Sequence, residues 1–79
     1  VSKSIISLIG MDMIELDLTG CDNLEQLYCY DNQLTKLDVS MCPDLKLLLC
    51  SHNNIKQLDI SQNPKLEIMW CDNIIDLKT

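Results

Sequence analysis

The chain has 79 residues, a formal charge of −6 and a hydrophobic content of 47%. That is one domain's worth or less, too apolar for a disordered segment and, at this length, marginal for a lone core. All six cations are lysines (Lys3, Lys36, Lys46, Lys56, Lys65 and Lys78), and they do not cluster; nucleic-acid binding requires a basic patch, so no nucleic-acid partner is expected.

The stretch from Val1 to Met13 has an apolar flavour but lacks the charged start, long apolar middle and small-residue cleavage site of a signal peptide. Nowhere does an apolar run reach the roughly 18 residues of a membrane helix, so no membrane insertion is expected. Three longer units follow, 16–36, 37–57 and 58–79. Shifting the chain by 21 residues lays Leu16-Asp17-Leu18-Thr19 on Leu37-Asp38-Val39-Ser40, and that on Leu58-Asp59-Ile60-Ser61. The same shift superposes Leu24, Leu45 and Leu66; Leu27, Leu48 and Met69; and Cys29, Cys50 and Cys71. Asn32 falls on Asn53 and Leu34 on Ile55. Run backwards, the shift puts Ile6 and Leu8 under Leu27 and Cys29, which makes 1–15 a degraded half-repeat. The last unit is about two residues short, and Asn73 and Ile75 are expected to stand at its Asn and Leu positions.

A fixed period of about 20–29 residues containing L-x-x-L-x-L-x-x-N/C-x-L is the signature of leucine-rich repeats. The expected fold is therefore a right-handed leucine-rich-repeat solenoid of the α/β horseshoe class. Its parallel strands carry Leu27 and its copies, and its other side is irregular or extended, with little helix. Residues two apart on a strand share a face. Leu27 and Cys29 then point inward together, and each inward position becomes a ladder of like residues. Asn32 and Asn53 are expected to turn their amides onto backbone groups at the bend after the strand. Because one repeat cannot bury its own apolar face, about three are needed, with polar caps at the ends. No cap is legible here, and the natural protein is expected to continue beyond one end or both.

The phrase L-x-x-L-D-V-S-x-N-P-x-L-x-x-L-x-C-x-x-N resembles bacterial leucine-rich-repeat proteins of the internalin type, in particular those with 21-residue repeats and a cysteine on every rung. Cys29, Cys50 and Cys71 match the ladder, and residues 58–64, LDISQNP, are the cleanest match to the other half. The resemblance covers about residues 13–73. Cys21 and Cys42 depart from it, standing where the family tends to have the Asn that Asn63 retains. The resemblance implies a solenoid that is secreted or displayed on a bacterial surface, an extracellular adhesin binding a protein partner.

The cysteines lack any C-x-x-C spacing and are read as small hydrophobes filling a narrow core. Adjacent ladder positions lie within disulfide reach, but their parallel Cβ vectors suit the bond badly, so free thiols are expected. Asp17, Asp38 and Asp59 stack as like charges; hydrogen bonds to neighbouring backbone and to Thr19, Ser40 and Ser61 are expected to compensate, rather than calcium. His52 reads as an exposed turn residue. No metal, cofactor or catalytic constellation is legible, and no enzymatic activity is expected.

The outward strand positions carry the functional reading. Ser7, Tyr28, Leu49 and Trp70 form one column, Gln26, Leu47 and Ile68 the column beside it, and Ile9, Tyr30, Ser51 and Asp72 lie on the other flank; Tyr28, Leu47, Leu49, Ile68 and Trp70 make a contiguous apolar patch. Exposed apolar patches with Tyr and Trp mark interaction sites. The expected function is protein recognition through this face. The alternative is a targeting or regulatory segment of a larger enzyme or effector. A plain spacer fits less well, because its outward column would be polar.

Overall fold

The structure is a computed structural model and describes residues 3–79; Val1 and Ser2 of the half-repeat 1–15 lie outside the described residues. Among the described residues there are six short strands: β1 (Ile5–Ser7), β2 (Gln26–Tyr28), β3 (Leu47–Leu49), β4 (Gln57–Asp59), β5 (Ile68–Trp70) and β6 (Asp76–Lys78). There is no helix among the described residues, and none that could cross a membrane.

Strands β1, β2, β3 and β5 form one parallel sheet in that order, one strand per turn of a β-solenoid. Ile6, Leu27, Leu48 and Met69 stand in one register row, as the 21-residue shift requires. The ladder continues beyond the strands: the N–H groups of Cys29 and Cys50 donate to the Leu49 and Trp70 carbonyls at 2.9 and 2.8 Å. On the second side, β4 pairs with β6, also in parallel, with Leu58 opposite Leu77. That offset is 19 residues, against 21 in the large sheet, so the last turn is short by two. The equivalent stretches around Asp17 and Asp38 form no strands.

The core is one contiguous cluster. Leu27, Leu48, Cys29 and Cys50 enter it from the large sheet, and Leu18, Leu37, Val39 and Leu58 from the second side. Leu24, Leu27, Leu34, Leu45 and Leu48 are completely buried. Each such leucine contributes a few kcal/mol, and removing one also leaves a cavity.

The corners repeat as strictly as the strands. In each of the three longer units, two successive i→i+3 backbone hydrogen bonds turn the chain: Cys21 to Leu18 and Leu24 to Cys21, Cys42 to Val39 and Leu45 to Cys42, Asn63 to Ile60 and Leu66 to Asn63. Pro43 and Pro64 occupy the position of the second turn that suits a fixed φ near −65°. At the opposite corner the backbone is left-handed at Gly10, Asp31, His52 and Asn73, with φ of 63°, 60°, 57° and 61°. These positions are again 21 apart, and Gly, Asp, His and Asn are the residues that tolerate this conformation best.

Asn73 therefore occupies the left-handed corner of the last turn, not the buried Asn position expected for it. Ile75 is 79% exposed, and the neighbouring Ile74 packs against the core instead. The two-residue deletion falls at this corner, so the 21-residue shift still holds at Asn73 and has given way to 19 by β6.

Candidate protein-binding face

The inner skeleton supports the outer face, so its polar groups come first. The amide of Asn53 is buried; its Nδ2 donates to the carbonyls of Cys29, Cys50 and Ser51, and its Oδ1 accepts from the Leu34 N–H at 2.9 Å. Asn32 does the same one turn earlier, donating to Leu8, Cys29 and Tyr30 and accepting from the N–H groups of Met11 and Met13. Each amide thus ties its own bend to the preceding turn, as the sequence implies. A third buried amide, Asn63, donates to the carbonyls of Val39 and Cys42 across the other corner, both at 2.9 Å, while its Oδ1 has no protein partner among the described residues. Its structural role was signalled by the N-P that it shares with the resembling family's pattern.

The cysteine ladder departs from the expectation of free thiols. Cys50 and Cys71 are joined as a disulfide between adjacent turns, with their Cα atoms 4.7 Å apart. Strand stacking sets that separation, which lies inside the range a disulfide spans. Cys29 remains a buried thiol, and burial pushes its pKa up to about 12. Cys42 is also buried and its pKa is raised, by burial first and then by Cys21 and Asp38. Neither is a nucleophile at neutral pH, since the thiolate is the reactive form.

The four strands set two outward columns in register: Ser7, Tyr28, Leu49, Trp70 and Ile5, Gln26, Leu47, Ile68. Ile5, absent from the sequence reading, completes the second. Exposure rises towards the ends of the sheet. Tyr28, Leu47 and Leu49 are half-buried by their neighbours, whereas Ile5, Ile68 and Trp70 are 50%, 47% and 69% exposed. The Tyr28 hydroxyl donates to Gln26 Oε1 at 2.8 Å, linking the two outward columns.

At the carboxyl ends of the strands, Tyr30, Asp31, Leu49, Ser51, His52 and Trp70 line an open hollow of about 370 Å³. Its rim is ordered by hydrogen bonds: Ser51 Oγ donates to the Trp70 carbonyl at 3.0 Å, and the His52 backbone N–H donates to Asp72 Oδ1 at 2.9 Å. The second side is polar by contrast. Asp17, Asp38 and Asp59 each accept from the backbone N–H two residues on, at 2.9, 2.9 and 2.8 Å. Bonds from Thr19, Ser40 and Ser61 hold these carboxyl groups below their usual pKa. A larger depression of about 670 Å³ runs there between alternating charges, among them Lys36, Lys56, Asp38 and Asp59. No group of three or more His, Cys, Asp or Glu among the described residues is placed to hold a metal ion.

No family model, curated protein or solved structure matches this chain.

Proposed function

We propose that the chain is a leucine-rich-repeat solenoid whose four-stranded face recognises a protein partner and which performs no chemistry of its own. The single observation that carries the reading is the face itself. Trp70 and Ile68 stand exposed on β5, continuous with Tyr28, Leu47 and Leu49. Exposed apolar surface of this kind persists where a partner covers it, and Trp and Tyr are the anchors such contacts favour. The β-solenoid and the L-x-x-L-x-C-x-x-N spacing support the leucine-rich-repeat assignment. Through its internalin-type resemblance, the reading extends to an extracellular or bacterial-surface setting.

The test is competition. The purified chain should block attachment of the partner to an immobilised copy, and the Tyr28→Ala/Trp70→Ala variant should lose that ability with its far-UV circular dichroism unchanged. A folded double variant that competes as well as the parent would refute the assignment of the face.

A further inference from the structure

The hollow at the carboxyl ends of β3 and β5 sets aromatic and apolar side chains beside a carboxylate. Two aromatic rings line it, Tyr30 and Trp70, beside the apolar Leu49. Its side-chain acceptors are Asp31 and Ser51, and the Tyr30 hydroxyl and the His52 ring are the lining side-chain groups that can donate. Ser51 already commits its hydroxyl proton to the Trp70 carbonyl, which leaves its oxygen lone pairs. The Asp31 carboxylate makes no hydrogen bond or ion pair with any other side chain among the described residues. The other nearby carboxylate, Asp72, is engaged by His52, through its backbone N–H and through Nδ1 at 3.7 Å. No lysine lines the hollow, and Lys46, Lys65 and Lys78 are paired elsewhere with Glu25, Asp44 and Asp59.

Rings with electron-rich faces, a free carboxylate and spare lone pairs match a group that only donates and carries positive charge. Guanidinium is that group: it is planar, has five N–H donors and no acceptor, and stacks on aromatic faces. A sugar or a neutral amide would leave the Asp31 carboxylate without a counter-charge, which a guanidinium supplies. The overall charge of −6 favours the approach of a cation.

We infer that this hollow receives an arginine side chain presented by the partner, with Trp70 and Tyr30 as stacking surfaces and Asp31 as counter-charge. The inference rests on the proposed recognition face and specifies the partner's chemistry there.

Trp70 is the only tryptophan in the chain, so its indole fluorescence and its ¹H–¹⁵N signal report on the hollow directly. The probe is a blocked Gly-Arg-Gly tripeptide, with the neutral citrulline tripeptide as its isostere. The arginine peptide should shift the Trp70 signals saturably and lose affinity with added salt, and the citrulline peptide should bind several-fold more weakly. Asp31→Asn, which still tolerates the left-handed backbone, should weaken arginine binding roughly threefold. Equal responses to the two peptides, no response to either, or an unchanged affinity in Asp31→Asn would overturn the inference. The titration needs no partner. Successful partner competition without arginine preference would therefore overturn this inference alone, and arginine binding without partner competition would overturn the face.

Discussion

The side-chain amide of Asn53 donates to the Cys29 carbonyl at 2.9 Å, linking residues 24 apart in the chain and one turn apart in the solenoid. With its bonds to Cys50 and Leu34, it joins two turns at a bend where strand hydrogen bonds cannot reach. Loss of the amide would strand buried backbone groups, each of which costs about 1–3 kcal/mol when unpaired. Asn53→Ala should therefore lower unfolding stability by about 3 kcal/mol in urea titrations. Asn32→Ala should cost less, because most of its partners, including the Leu8 carbonyl and the Met11 N–H, are only partly buried and water can replace the amide.

The left-handed corner makes a separate prediction. His52 holds φ at 57° on an exposed bend. A β-branched residue there should cost about 1–2 kcal/mol through backbone crowding. Glycine, which the equivalent corner of the first turn already uses at Gly10, should cost nothing or stabilise. Thermal melts of His52→Val and His52→Gly would separate the two effects; a harmless valine would contradict the corner geometry.

Thiol accessibility follows from the cysteine ladder. Cys29 is fully buried with its pKa raised to about 12, so a thiol reagent should reach it only after unfolding. Because Cys50 and Cys71 are paired, denatured protein without reductant should titrate three thiols, Cys21, Cys29 and Cys42, and five after reduction. Five without reductant would mean that Cys50 and Cys71 stand as free neighbours in the ladder.

Acid should weaken the fold through its aspartate column. Asp17, Asp38 and Asp59 have folded pKa values below the ordinary one, held there by hydrogen bonds from Thr19, Ser40 and Ser61. The folded state thus binds these protons less readily than the unfolded chain. Their stabilisation is fully present above the unfolded value of about 3.9 and is lost as pH falls through the lower folded values. The urea midpoint should drop as pH is lowered below about 4. A variant with all three changed to Asn keeps the turn hydrogen bonds without the titration and should show a smaller drop.

The repeat was readable because burial enforces it. Leu27, Leu48 and Met69 must point inward from successive strands, and like residues recur wherever the environment is the same on each turn. The register of the large sheet and the roles of Asn32 and Asn53 followed from that. The left-handed corner was hidden because Gly10, Asp31, His52 and Asn73 share a backbone tolerance rather than a side chain. A search for columns of Gly, Asn, Asp and His would have found it. The last turn was misassigned at Asn73 and Ile75 because a two-residue deletion can be placed at several points without disturbing the apolar pattern. Nor could spacing alone decide between thiols and a disulfide at Cys50 and Cys71, since neighbouring strands bring any such pair within reach. The outward columns were identified by alternation, but how far the central turns shield one another depends on packing in three dimensions.

The most direct test of the recognition face is site-specific photo-crosslinking in the cells that produce or meet this protein. A benzophenone amino acid would be placed at Trp70 on the sheet or at Lys56 on the polar second side. Recognition through the four-stranded face predicts a discrete adduct with one protein from position 70, suppressed by excess unlabelled chain, and none from position 56. The same adduct from both positions, or from position 56 alone, would contradict it.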